Sequence, residues 1–170
     1  SARLTPAVPT TMVEGSWPQV ATQVGPHDVV LCHHVVYDVP DIAGFVAALT
    51  AAAGDRVVLE LTPRHPMSWS NPLWLQFHGL ARPTRPGSGD LVAVLHEAGV
   101  RALTVDRWVR DDAGGLTEAE RVQLVTRRLC LQPEREPEVA AALAEHPEEA
   151  RRPVVTISWA GSGAGPAAHP

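Results

Sequence analysis

The chain has 170 residues, 45% of them hydrophobic and 19% charged. That is the length and composition of one folded globular domain with enough chain for a sizeable core, and it excludes a disordered tail. The formal net charge of −5 argues against a general nucleic-acid binder, which needs a basic stripe to neutralise phosphates. No apolar run approaches the roughly 20 residues of a membrane span, and no basic and apolar leader opens the chain, so a cytoplasmic protein without a membrane partner is expected. All 14 basic residues are Arg, which reads as coding bias. Cys32 and Cys130 lie in separate apolar segments, so neither a disulfide framework nor a zinc site is expected.

In chain order, Thr10-Thr11-Met12-Val13 reads as a short β-run, and Gln19 to Gly25 suits a short helix or turn. Asp28-Val29-Val30-Leu31-Cys32 is an unbroken apolar run, the habit of a strand buried on both faces. Asp41 caps a helix with Ile42, Phe45, Val46 and Leu49 at helical spacing, and Gly54 is expected to stop it. Arg56 to Leu61 is a second buried strand, so strand, helix and strand follow within about 35 residues as a βαβ unit of parallel neighbours. Thr62 to Pro86 is rich in Pro and aromatics, with a short helix over Leu73 to Leu80 that turns Leu73, Phe77 and Leu80 inward. Gly89-Asp90 opens a helix ending at Gly99, with Leu91, Val94, Leu95 and Ala98 on one face. Ala102 to Val109 alternates as a strand. Thr117 and Glu120 form a capping box for a helix to Leu131. A short Ala-rich helix, Glu138 to His146, precedes a last strand, Pro153 to Trp159. The Gly/Ala/Pro tail, residues 161–170, is expected to be disordered.

The run His27-Asp28-Val29-Val30-Leu31-Cys32-His33-His34-Val35-Val36-Tyr37-Asp38-Val39-Pro40-Asp41 resembles the fourth-strand motif of class I S-adenosylmethionine-dependent methyltransferases. Val13-Glu14-Gly15-Ser16-Trp17-Pro18 is similar to that family's third-strand end, and Arg56 to Leu61 resembles its fifth strand. Ala102 to Val109 and Val154 to Trp159 resemble the antiparallel sixth and seventh strands. The resemblance implies an α/β, Rossmann-like, mostly parallel sheet flanked by helices and closed by a C-terminal antiparallel hairpin, over residues 1–160 with a helical insert at about 111–152. The family's Gly-rich first loop and its ribose-binding acid have no counterpart. Gly87-Ser88-Gly89 does not follow a strand as a nucleotide loop does. With a start at Ser1-Ala2-Arg3 and no initiator Met, the expectation is the C-terminal portion of a catalytic domain whose N-terminal strands are missing, inactive by itself.

What the resemblance implies for the site follows residue by residue. Gly15, Ser16 and Trp17 would lie beside the adenine of S-adenosylmethionine, with Ser16 in place of the family's usual Asp. Cys32 and His33 would face its methionine part. His34 is the candidate base, since an unperturbed imidazole suits proton removal near neutral pH, and Tyr37 is a candidate acceptor contact. The acceptor expected is a small molecule. Simpler readings stand beside these: His33 and His34 as a structural strand-end pair, Cys32 as apolar filler, Trp69, Trp74 and Phe77 as core aromatics or lining of an acceptor pocket. Glu60 is open between an ion pair with Arg64 and a substrate contact. Two other functions remain: a non-catalytic α/β module that binds no cofactor, and a metal-dependent hydrolase built on His33, His34, His65 and His78, although no recognised ligand spacing supports a metal. An unpaired strand edge would favour association, as a homodimer, across it.

Overall fold

The computed structural model describes residues 9–110, 115–146 and 152–163. A short helix α1 (Ala21–Val24) leads into β1 (His27–His33), α2 (Ile42–Ala52) and β2 (Ala53–Leu61). These are followed by α3 (Asn71–His78), α4 (Ser88–Glu97), β3 (Thr104–Arg110), α5 (Glu118–Arg128), α6 (Glu136–Glu145) and β4 (Arg152–Ala160). The four strands form one sheet in the order β1-β2-β4-β3. β1 and β2 are parallel, with His33 opposite Glu60. β4 is antiparallel to both of its neighbours, so β3 runs in the same direction as β1 and β2. The architecture is mixed α/β with a Rossmann-like parallel pair and an antiparallel closing hairpin.

The βαβ unit forms because its signals agree. The Asp41 carboxylate accepts the Gly44 N–H at 2.9 Å, and Phe45, Val46 and Leu49 of α2 are buried. They meet Leu91 and Leu95 of α4 and the inward side of the sheet, including Val57, Leu59, Ile157 and Trp159, in a first core. Burying each such side chain is worth about 1.5–3 kcal/mol. The Trp159 indole N–H donates to Thr50 Oγ1 at 2.9 Å and joins β4 to α2.

Several expectations change. Residues 10–13 form no strand; a β-run needs a neighbour to complete its hydrogen bonds, and the described chain provides none there. α2 does not stop at Gly54, which lies inside β2. β1 is not buried on both faces: Cys32 points inward, but Val29 is 47% and Leu31 65% exposed. Leu80 is also exposed, because Gly79, in the left-handed conformation at φ 64°, ends α3 before that residue reaches the helix face. Residues 161–163 at the start of the tail are ordered against the sheet, with Gly161 N donating to Asp55 O at 2.7 Å and Ser162 N to Ala53 O at 2.9 Å. The expectation for residues 164–170 lies outside the described residues.

A second core is wholly helical. Leu73 of α3, Val122 and Val125 of α5, and Val139 and Leu143 of α6 close on one another together with Leu129. Trp69, Trp74 and Phe77 pack against this cluster half-buried, and the His78 Nε2–H donates to the Leu129 carbonyl at 2.8 Å. The Thr117 capping box is present, with Thr117 N donating to Glu120 Oε2 at 2.8 Å. The segment carrying α3 leaves the sheet after Leu61, and the segment carrying α5 and α6 leaves after Arg110. Both exits lie on the carboxyl edge because β2 and β3 share a direction.

Candidate functional site

Two features meet near the carboxyl end of β1. The first is a groove of about 650 Å³ along the free side of β1, whose lining includes Ser16, Trp17, Val29, Leu31, Cys32 and His33. The turn before α1 brings Ser16 and Trp17 there, held by a Val20 N–H bond to the Ser16 carbonyl at 3.1 Å. Four of the five residues assigned to a cofactor by resemblance thus share one surface. Gly15 is not among the lining residues. Its φ of 147° serves the turn that presents Ser16. The Trp17 Nε1–H is buried and has no hydrogen-bond partner among the described residues, an arrangement that costs free energy. Burial pushes the Cys32 thiol up to about 11, so it is a poor nucleophile near neutral pH.

The second feature is a polar cluster centred on Glu60, which is only 8% exposed. Its Oε1 lies 2.8 Å from an Arg110 guanidinium nitrogen, 3.2 Å from His34 Nε2 and 4.0 Å from His33 Nδ1. A carboxylate this deeply placed needs such partners to offset its lost hydration. His34 follows β1 with a left-handed φ of 55°, a conformation that costs a non-glycine residue about 1–3 kcal/mol. Its N–H donates to the Glu60 carbonyl at 2.8 Å, which fixes the backbone so that the ring turns toward the Glu60 side chain. Beyond the ring, Tyr37 stands with its oxygen 3.4 Å from His34 Nδ1 and 2.8 Å from Thr62 Oγ1. The His65 ring sits edge-on to Tyr37.

The residues expected to act together therefore fall into two groups. Ser16, Trp17, Cys32 and His33 line the groove, whereas Tyr37 lines a separate hollow of about 100 Å³ beside Leu61 and Gly87. His34 connects the two through Glu60. The Glu60 ion pair is with Arg110 and the histidines, not Arg64, since Arg110 ends β3 on the same sheet face. Arg110 and Thr62 had no signal in the sequence beyond the general need of a strand-end acid for a cation, which 14 arginines could meet.

Among the described residues no group of three or more His, Cys, Asp or Glu is placed to hold a metal ion. The four histidines of the hydrolase reading do not converge, because His78 is bonded to the Leu129 carbonyl while His65 accepts the Met67 N–H at 3.2 Å. Gly87-Ser88-Gly89 does open a helix, but the Asp90 carboxylate already accepts the Gly87 N–H at 2.8 Å and pairs with Arg85. That helix start is satisfied internally and offers no anion cradle. Among the described residues no helix is long and apolar enough to cross a membrane.

No protein-family model matches the chain, and no curated protein matches it. Solved structures do resemble it. A proposed methyltransferase from Bacillus halodurans C-125 is 13% identical, with 78% of this chain aligned to 68% of that one at a TM-score of 0.41. Magnesium protoporphyrin IX methyltransferase from Synechocystis PCC 6803, solved with S-adenosylhomocysteine (SAH), is 12% identical over 84% of this chain and 48% of its own, at a TM-score of 0.43. The phosphoethanolamine N-methyltransferase 2 of Haemonchus contortus, in complex with phosphomonomethylethanolamine and S-adenosylhomocysteine, is 8% identical over 79% and 33%, at a TM-score of 0.39. The chain thus spans about two thirds, half and one third of the three proteins. What its own structure establishes is a mixed α/β fold with a four-stranded sheet in the order β1-β2-β4-β3.

Proposed function

We propose that this chain serves S-adenosylmethionine-dependent methyl transfer to a small-molecule acceptor, as part of a catalytic domain. The observation that carries the reading is the strand order, with β4 antiparallel between β2 and β3. It is the closure that the sequence resemblance implied, and it separates this fold from dinucleotide-binding relatives. Support comes from the groove, which Ser16, Trp17, Cys32 and His33 all line. Trp17 would offer an aromatic face to the adenine and Ser16 a polar contact, and Cys32 and His33 would close the far side.

When bound, S-adenosylmethionine supplies a methyl group already activated on a sulfonium. The remaining work falls to the chain: excluding water, holding the acceptor at attack distance and taking up its proton. His34 is the base in this reading, and Tyr37 orients the acceptor. We also propose that two copies associate across the free side of β1, where Val29, Leu31 and Val35 are exposed.

Titration of the labelled protein with millimolar S-adenosylhomocysteine, followed by NMR, tests the cofactor reading. The Trp17 indole N–H and the backbone signals of Ser16, Cys32 and His33 are expected to move, while those of Val125 and Leu143 stay. Unmoved groove signals at saturating ligand would instead favour the non-catalytic α/β module.

A further inference from the structure

The hydrogen bonds around His34 can be followed proton by proton. The Thr62 hydroxyl donates to the Arg64 carbonyl at 2.6 Å, which commits its only proton. In the Tyr37–Thr62 contact at 2.8 Å the phenol is therefore the donor. The same phenol oxygen accepts the Thr62 N–H at 2.6 Å. Tyr37 has no second proton for His34 Nδ1, 3.4 Å away, but it retains acceptor capacity. On the other side of the ring, Nε2 faces the Glu60 carboxylate at 3.2 Å, and an ionised carboxylate only accepts. Both ring nitrogens thus face acceptors, and the ring is fully hydrogen-bonded only when each nitrogen carries a proton.

We propose that Glu60 is the positioning residue of the base. It holds His34 through Nε2–H, so that Nδ1 is the nitrogen that receives the acceptor's proton, and Glu60 and the Tyr37 oxygen together receive the resulting imidazolium. In that step the acceptor's X–H bond breaks, its electron pair stays on X, and a new N–H bond forms at Nδ1. The positive charge on the ring then rests against the Glu60 carboxylate. Arg110, sharing Oε1 at 2.8 Å, keeps that carboxylate aimed. His33, at 4.0 Å, and Asp106, on the same sheet face across Thr156, are the other titratable neighbours along this face. The His34 side chain is 36% exposed, so the ring remains within reach of a substrate. Such pre-placed acceptors favour the charged state that forms during proton transfer over the neutral starting state.

The proton-acceptor role rests on the methyl-transfer reading, whereas the Glu60–His34 bond does not. NMR of the protein with nitrogen-15-labelled histidine, in mildly alkaline solution and without any ligand, tests that bond directly. The expected spectrum shows His34 protonated at Nε2 with a downfield, slowly exchanging proton and a bare Nδ1. That proton signal should be lost in Glu60→Leu and kept in Tyr37→Phe. An Nδ1-protonated ring in the unmodified protein would overturn the proposal, as would a slow Nε2–H signal that survives Glu60→Leu or disappears in Tyr37→Phe. If thermal melting shows that Glu60→Leu does not fold, the unmodified protein and Tyr37→Phe still decide the matter. Because no S-adenosylhomocysteine is added, failure here leaves the groove reading intact, and failure of the titration leaves this one intact.

Discussion

The two outer strands of the sheet treat their exposed sides differently. β3 carries Asp106, Arg107 and Arg110 among its seven residues; its exposed Trp108 donates an indole N–H to Thr156 Oγ1 at 3.0 Å, with the Arg110 guanidinium 5.8 Å from the ring centre. Charges of this kind discourage a further strand from pairing there. β1 carries one acid near its start, Asp28, and then Val29 and Leu31 facing outward. The difference teaches that β3 sets charges around its exposed Trp108 and Val109, whereas β1 leaves Val29 and Leu31 uncovered without them. The groove lies along β1.

The contrast can be broken most forcefully within a pair of leucines. Leu59, 1% exposed at the centre of β2, should lose about 2–5 kcal/mol of stability on Leu59→Ala. Leu31→Ala on the outside of β1 should stay within about 0.5 kcal/mol in denaturant titration of dilute protein. Equal losses would mean that Leu31 is buried in solution. Next in size is the reactivity of the two cysteines. With its thiol pushed up to about 11, roughly a thousandth of Cys32 is thiolate at pH 8, so a thiol reagent should label exposed Cys130 far faster. Comparable labelling rates would show that β1 has no protected inner side.

Light scattering then sharpens the comparison between the edges. Leu31→Lys is expected to lower the molar mass in solution to that of a monomer, whereas Arg107→Ala on β3 should leave it unchanged. A monomeric parent protein would remove association from the account of β1. The smallest effect lies in the helical half. Thr117→Ala should cost about 1 kcal/mol by thermal melting, the usual worth of an N-cap. The Thr117 hydroxyl and N–H hold the Glu120 carboxyl below its ordinary range. The folded value being depressed, this contribution is present at neutral pH and is lost as acid titrates Glu120 through its lowered value. Melting curves of Thr117→Ala and the parent should therefore converge toward low pH.

Much of this could be read along the chain. Asp41 and Thr117 cap their helices as local chemistry requires, and the runs expected as strands at Arg56–Leu61 and Pro153–Trp159 fall within β2 and β4. Phe45, Leu49, Leu91 and Leu95 were legible as one side of their helices and do enter the first core. The failures share a cause. Residues 10–13 have strand-like composition and no strand beside them, and Asp28–Cys32 looks like a doubly buried strand because apolar runs do not report whether a second layer exists. The partners of Glu60 were hidden for the same reason: Arg110 lies 50 positions away and reaches it only across β4.

The sequence by itself determined most of the segments that become helices and strands, where the capped helices begin, and which side chains are apolar enough to be buried, because propensity, capping and periodicity act over a few residues. Only the tertiary structure decided that β4 lies between β2 and β3, that β1 keeps an open side, and that one buried carboxylate joins His34 to Arg110. Those outcomes depend on which distant segments become neighbours, and no local pattern carries that information.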